Sequence, residues 1–247
     1  MSIEVRASAG IVDVIIDFPP VNALPGQGWD DLAAAVSTAG ADPETRVVIL
    51  SATGRGFCAG VDIKEMQRLD GHAGILRASQ GCFAAFAAVY ECPVPVIAAV
   101  QGFCLGGGIG LAANADVIVA ADDATFGLPE VDRGALGAAT HLARLVPQPL
   151  LRAMVYTCQA VTAQQLLSFG TVFTVVPRAE LGAAARELAT AIAAKDPLVI
   201  RLAKQSLNGI DPVDVKRSYR YEQGFTYELN LAGAGDRARR AFVDGQR

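Results

Sequence analysis

Short, uninterrupted apolar runs recur along this chain, each followed by a turn and then by residues at helical spacing. Val47-Val48-Ile49-Leu50 and Val96 to Val100 contain no polar side chain, so strands built from them must be covered on both faces. The segment Gly10 to Phe18 differs, because Val12, Val14, Ile16 and Phe18 fall on one face of a strand and Asp13 and Asp17 on the other. Pro19-Pro20 ends it. Trp29, Leu32, Ala33 and Val36 follow at helical spacing until Asp42-Pro43 breaks the chain. The Ala-rich stretch Ile75 to Tyr90 is predicted helical, and Asp116 to Ala120 and Phe126 to Glu130 are predicted extended. Strand, turn and helix in this alternation predict an α/β domain with helices on both faces of the sheet.

Beyond Leu150 the pattern shifts to helix: Leu181, Ala185, Leu188 and Ile192 share a stripe, and Ala203 to Leu207 and Arg237 to Phe242 read as helical. No low-complexity linker separates these helices from the rest. The division expected for the 247 residues is a core over 1–190 and a helical C-terminal region over 191–247, packed on the core or on a neighbouring subunit.

Composition then removes several function classes. With 52% hydrophobic and 19% charged residues the chain can bury a core and is not a disordered one. No apolar run reaches the ~18 residues a membrane helix requires. The 21 basic and 25 acidic side chains are scattered and sum to −4, which leaves no basic footprint for nucleic acid. Cys58, Cys82, Cys92, Cys104 and Cys158 are odd in number and lack metal-ligand spacing, so neither a disulfide framework nor a metal site is expected, and the cytoplasm is the expected compartment. The segment Met1 to Ala9 carries Glu4 and no apolar signal core, so no secretory signal is expected.

Three segments combine a strand end with glycine and a polar residue. In Gly54 to Lys64, small residues at 58–60 let a ligand approach the backbone, while Asp62 suits a helix N-cap. In Gly102 to Gly110, the glycines at 106–108 precede a helix and present N–H groups suited to an oxyanion; the spacing fits neither a dinucleotide fingerprint nor a Walker loop. In Phe126 to Gly134, Glu130 and Asp132 stand two apart with Arg133 beside them, an arrangement open to two readings, an acid/base pair or a surface ion pair. His141 sits among Ala139, Leu142 and Ala143.

In order and spacing, these segments and the Arg237 to Phe242 piece resemble the crotonase superfamily, also called the enoyl-CoA hydratase/isomerase family, along essentially the whole chain. The resemblance implies a crotonase-type spiral of ββα repeats with a helical C-terminal region that trimerises, giving a homotrimer or a hexamer of two trimers. It implies an oxyanion hole from the backbone N–H groups of Val61 and Gly107, and coenzyme A contacts from Val21, Ala23, Ala59, Ile63, Lys64 and Phe242. It implies no cofactor apart from the coenzyme A that the substrate carries. Glu130 becomes the expected general base, with Asp132 and His141 as second-choice proton carriers, all within eleven residues of one strand end.

A hydratase of this family uses two glutamates; the second matches Glu130, but Gly110 stands at the first position. Syn-hydration is therefore not the expected reaction, and the glycine leaves room for a bulky side chain, a water or an anion. Pro19 to Ala23, Gly60 to Arg68, Gly81 to Glu91 and Leu128 to His141 are most similar to a steroid-degrading branch of the family. That likeness implies hydrolytic, retro-Claisen opening of a ring ketone in a bicyclic CoA thioester. The alternatives are a hydratase or isomerase acting on another acyl-CoA through Glu130 alone, and a non-catalytic acyl-CoA binding protein. Trp29, Phe83, Phe86, Leu105 and Leu136 are the expected apolar lining.

Overall fold

The apolar runs stand side by side. In the computed structural model, which describes residues 1–69 and 72–245, β1 (Ser2–Ser8) pairs antiparallel with β2 (Ile11–Asp17). The sheet continues parallel through β4 (Val47–Ala52), β6 (Val96–Val100), β8 (Val117–Ala121) and β11 (Thr174–Val176), in the order β1-β2-β4-β6-β8-β11. Each long strand leads to a short one in a second layer: β3 (Ala23–Leu24) pairs with β5 (Gly60–Val61), and β7 (Phe103–Leu105) with β9 (Thr125–Gly127), which also pairs with β10 (Val161–Thr162). A parallel bridge between Cys58 and Cys104 joins the two groups of short strands. Long strand, short strand and helix repeat as a spiral.

The residue pattern explains the layering. Val48 and Leu50 of β4 pack into one core with Val96, Ala98 and Val100 of β6, while Val47, Ile49, Ile97 and Ala99 face a second core on the other side. The first face is covered by α1 (Gly26–Ala41) and α3 (Ala73–Tyr90), with α2 (Ile63–Arg68) between them in sequence. Leu181, Ala185 and Ala189 of α8 (Leu181–Ala193) cover the second. The predicted stripe on α8 is this contact, and the expected 190/191 boundary falls inside the helix.

Helix α4 (Gly107–Asn114) is buried at every residue. Helices α5 (Ala139–Leu142), α6 (Gln148–Thr157) and α7 (Ala163–Ser168) carry the chain to β11. Then α9 (Pro197–Ile210), α10 (Val215–Leu231) and α11 (Ala234–Val243) complete it. Helix α10 packs back on the same chain: Glu222 accepts the N–H groups of Ala139 (2.9 Å) and Thr140 (3.1 Å), and Gln223 donates to Ser79 O at 2.9 Å. Among the described residues no helix is long and apolar enough to cross a membrane.

Candidate active site

One cavity of about 260 Å³ lies where β5, the start of α4, the turn after β9 and the last two helices meet. Its wall is mainly apolar, including Ile63, Ala78, Phe86, Leu105, Leu136 and Phe242. Of the expected lining, Phe86, Leu105 and Leu136 are there, whereas Trp29 is fully buried behind the wall. Phe83 borders a separate small hollow with His141.

The loop before α2 is held from three sides. Asn22, in the left-handed region at φ 53°, accepts from Phe18 N at 2.8 Å and donates to Thr53 O (2.8 Å) and Gly56 O (2.9 Å). Asp62 caps α2 by accepting from Lys64 N and Glu65 N at 2.9 and 3.1 Å. Gly60 N donates to Cys58 Sγ at 3.3 Å, and burial pushes that thiol up to about 12, so Cys58 serves as an inert anchor. Asp62 N donates to Leu24 O at 2.9 Å. Successive N–H groups along a strand alternate sides, so the N–H of Val61 faces the other way, where Val61 lines the cavity.

Gly107 opens α4, so its N–H has no carbonyl one turn earlier to bond. A Cβ on Gly60 would lie 3.0 Å from Gly107 N, and one on Gly107 would lie 2.7 Å from the Trp29 ring. The glycines thus allow the loop, the helix start and the indole behind them to touch. Val61 and Gly107 stand together on the wall with the helix dipole behind them, a geometry suited to a developing oxyanion.

Glu130 closes the same corner. A Cβ on Gly106, whose φ is 55° and ψ −116°, would lie 2.5 Å from Glu130 Oε1. The other oxygen, Oε2, is sealed from solvent without a hydrogen-bond partner among the described residues. Burial raises the carboxyl to about 8, helped by the charge of Glu222 and opposed by a backbone N–H and by Arg133. Near neutrality the group carries its proton, poised to exchange it with a bound substrate.

The structure brings together only part of the sequence-predicted set. Glu130, Val61, Gly107, Ala59, Ile63 and Phe242 line the cavity. Val21 and Ala23 lie beside it: Val21 O accepts from Ala59 N at 3.2 Å, and Ala23 pairs with Gly60. Lys64 is exposed at the start of α2. Asp132 is exposed and outside the lining, near Cys158. Arg133 does not pair with it; its guanidinium lies 3.8 Å over the Phe242 ring.

His141 is 1% exposed and outside the cavity, its ring 4.9 Å from those of both Phe86 and Tyr219. Burial, with Arg144 second, lowers it to about 3, so it is neutral. The room expected at Gly110 is filled, because a Cβ there would lie 2.2 Å from the Phe86 ring. Sequence reasoning passed over Asn22, Tyr219 and Arg239; the left-handed backbone at Asn22 is the kind of conformation asparagine tolerates.

A spiral of strand, strand and helix with two backbone N–H groups beside one buried carboxyl defines a crotonase-type site. Residues 6–229 match the model of the family described as enoyl-CoA hydratase/isomerase, and the chain belongs to that family. It is 66% identical over 235 residues, 95% of this chain and 91% of the relative, to the (7aS)-7a-methyl-1,5-dioxo-2,3,5,6,7,7a-hexahydro-1H-indene-carboxyl-CoA hydrolase of Rhodococcus jostii. To the hydrolase of the same name from Mycobacterium tuberculosis it is 64% identical, covering 95% of each. Among solved structures, an enoyl-CoA hydratase/isomerase from Xanthobacter autotrophicus superposes with a TM-score of 0.89 at 28% identity, covering 99% of this chain and 92% of that one.

Proposed function

We propose that this protein hydrolyses a carbon–carbon bond in a steroid-derived bicyclic CoA thioester, opening its five-membered ring ketone during steroid degradation. The observation that carries the reading is that Glu130 is the single carboxyl lining the cavity among the described residues; it faces the oxyanion corner, and Phe86 fills the space beside Gly110. One base suffices to activate a water for addition to a carbonyl. The identity to two hydrolases of that bicyclic thioester supports the same substrate class.

The arrangement of the cavity supports the following course of reaction. Glu130 takes a proton from water as its oxygen adds to the ring ketone. The adduct collapses to a carboxylic acid, and the bond from the former carbonyl carbon to the ring-fusion carbon breaks. The electron pair passes through the conjugated double bond to the thioester oxygen, held by Val61 N–H and Gly107 N–H. Such donors contribute on the order of 3 kcal/mol each. The proton returns from Glu130 to carbon, and the thioester survives. Val21, Ala23, Ala59, Ile63 and Lys64 hold the coenzyme A arm, Phe242 closes over the acyl group, and neither Asp132 nor His141 carries a step.

The assembly is a homotrimer or hexamer in the cytoplasm. The apolar residues Leu198, Val199, Leu202, Leu207 and Ile210 of α9, each more than half exposed in the single chain, support a subunit contact there.

The test is mass spectrometry of the dioxo-indene carboxyl-CoA incubated with the protein in oxygen-18 water. One labelled, newly esterifiable carboxylate with the thioester retained is the expected product. Label in an alcohol establishes hydration instead, and absence of conversion despite binding overturns the reading.

A further inference from the structure

The charges inside the cavity do not cancel. Among the described residues its lining has one carboxyl, Glu130, and two guanidiniums, Arg133 and Arg239. Arg133 rests against Phe242. Arg239 is more deeply placed, at 7% exposure, and donates from Nη2 to Asn230 Oδ1 at 2.7 Å. Its Nε and Nη1 are sealed from solvent and have no partner among the described residues. A buried arginine ordinarily rests on a carboxylate. No described ion pair includes Arg239; Asp236, on the same helix, pairs with Arg240 at 2.9 Å.

The backbone around Arg239 is cut to fit it. A Cβ on Gly235 would lie 2.9 Å from Arg239 Nη1 and equally close to Gly134 O, so glycine at 235 leaves the space between the guanidinium and the turn after Glu130. A cation with no carboxylate partner among the described residues is thereby fixed in the wall of the cavity that Glu130 also lines. The bicyclic ketone brings no charge to that wall, but its hydrolysis creates one, as an oxyanion on the adduct and then as a carboxylate.

We propose that Arg239 binds the carboxylate that ring opening creates, using the guanidinium N–H groups that have no partner among the described residues. The inference rests on the ring-opening reading for the identity of the anion. The phosphates of coenzyme A are the competing source of negative charge; they are strongly hydrated, and a guanidinium almost wholly enclosed by α10, α11 and the turn after Glu130 suits a carboxylate borne on an apolar ring.

Calorimetric titration of three ligands tests it: the ring-opened thioester with its free carboxylate, the methyl ester of that carboxylate, and coenzyme A. Wild-type protein is expected to hold the acid roughly ten- to a hundredfold more tightly than the ester, the range for hydrogen bonds to a charged group. In Arg239→Met that preference falls to near unity while affinities for ester and coenzyme A stay as they were, which also shows that the variant is folded. Arg239→Gln serves the same purpose if the methionine variant does not fold. A wild-type protein that does not distinguish acid from ester overturns the proposal, as does a preference unchanged in either variant. A matching loss of coenzyme A affinity assigns Arg239 to the phosphates and overturns it too.

Wild-type turnover of the bicyclic thioester, assayed in parallel, separates the two claims. Turnover with an acid preference that ignores Arg239 removes only the present inference. An Arg239-dependent preference without turnover leaves the anion site standing and removes the ring-opening reaction.

Discussion

Replacing Glu130 by glutamine tests the base and its burial together. The carboxyl is raised to about 8, with burial the largest cause, against an ordinary folded-out value near 4.5. The folded protein therefore holds a proton that the unfolded chain has released anywhere between those two values. That contribution to stability is complete below the lower value and is lost as pH climbs through the higher one. At about 1.4 kcal/mol per unit, the fold gives up on the order of 5 kcal/mol between about pH 4.5 and pH 9. Water entering the cavity reduces this figure, so roughly 2 to 4 kcal/mol is expected.

Glu130→Gln keeps the shape and removes the titration. Urea unfolding should show wild type and variant nearly equal near pH 5, with the variant the more stable by about 2 kcal/mol or more near pH 9. Catalysis moves the opposite way. A general base acts as the carboxylate, so wild-type kcat/KM should rise with pH and level off above about 8. At about pH 8 and above, where the wild-type base is ionised, the variant should lose roughly a hundred- to ten-thousandfold in oxygen-18 incorporation. Parallel urea midpoints across the whole range would refute the burial argument, and turnover by the glutamine variant within about tenfold of wild type would refute the role.

Three further substitutions probe the walls around it. Gly106→Ala puts a methyl group 2.5 Å from Glu130 Oε1 at a φ of 55°; it should cost about 1–3 kcal/mol in a thermal melt and lower kcat more than it raises KM. Gly110→Glu, which restores the second carboxyl of a hydratase, meets the Phe86 ring at 2.2 Å; urea unfolding should show a loss of more than about 2 kcal/mol, with partial recovery in the Phe86→Ala double variant. His141→Phe removes two ring nitrogens that are buried without partners among the described residues; it should leave kcat within about twofold and raise stability by roughly 1 kcal/mol, and a tenfold fall in kcat would return His141 to the mechanism.

How much of this was legible depended on what each residue does to the pattern around it. The strands β4, β6 and β8 were readable because burial on both faces leaves apolar runs without interruption. β1 was missed because nearly all of it is exposed in the single chain, which erases the alternation. The strands β3 and β5 have two residues each, too few for any period to show. Glu130 and the glycines at 106–108 stand at strand ends, but the carboxyl by itself reads equally as half of a surface ion pair, and only the resemblance to the family singles it out. Arg239 could not, because it belongs to a run of three arginines at 237, 239 and 240 that reads as a solvated helix face. Only the packing of α11 on the turn after Glu130 shows which of them turns inward.

The same packing explains how a hydratase-like frame can give up hydration. Two carboxylates held around one water split it across a double bond. Here the position of one is a glycine, and the ring of Phe86 occupies the space, backed by Tyr219 at 5.3 Å and Trp29 at 5.7 Å. Returning a carboxylate to that place requires displacing an aromatic cluster from the core. Burial already raises Glu130, and a carboxylate returned to position 110 would add a like charge that raises it further. The double variant of Gly110 and Phe86 should therefore shift the pH profile of Glu130 as well as the stability.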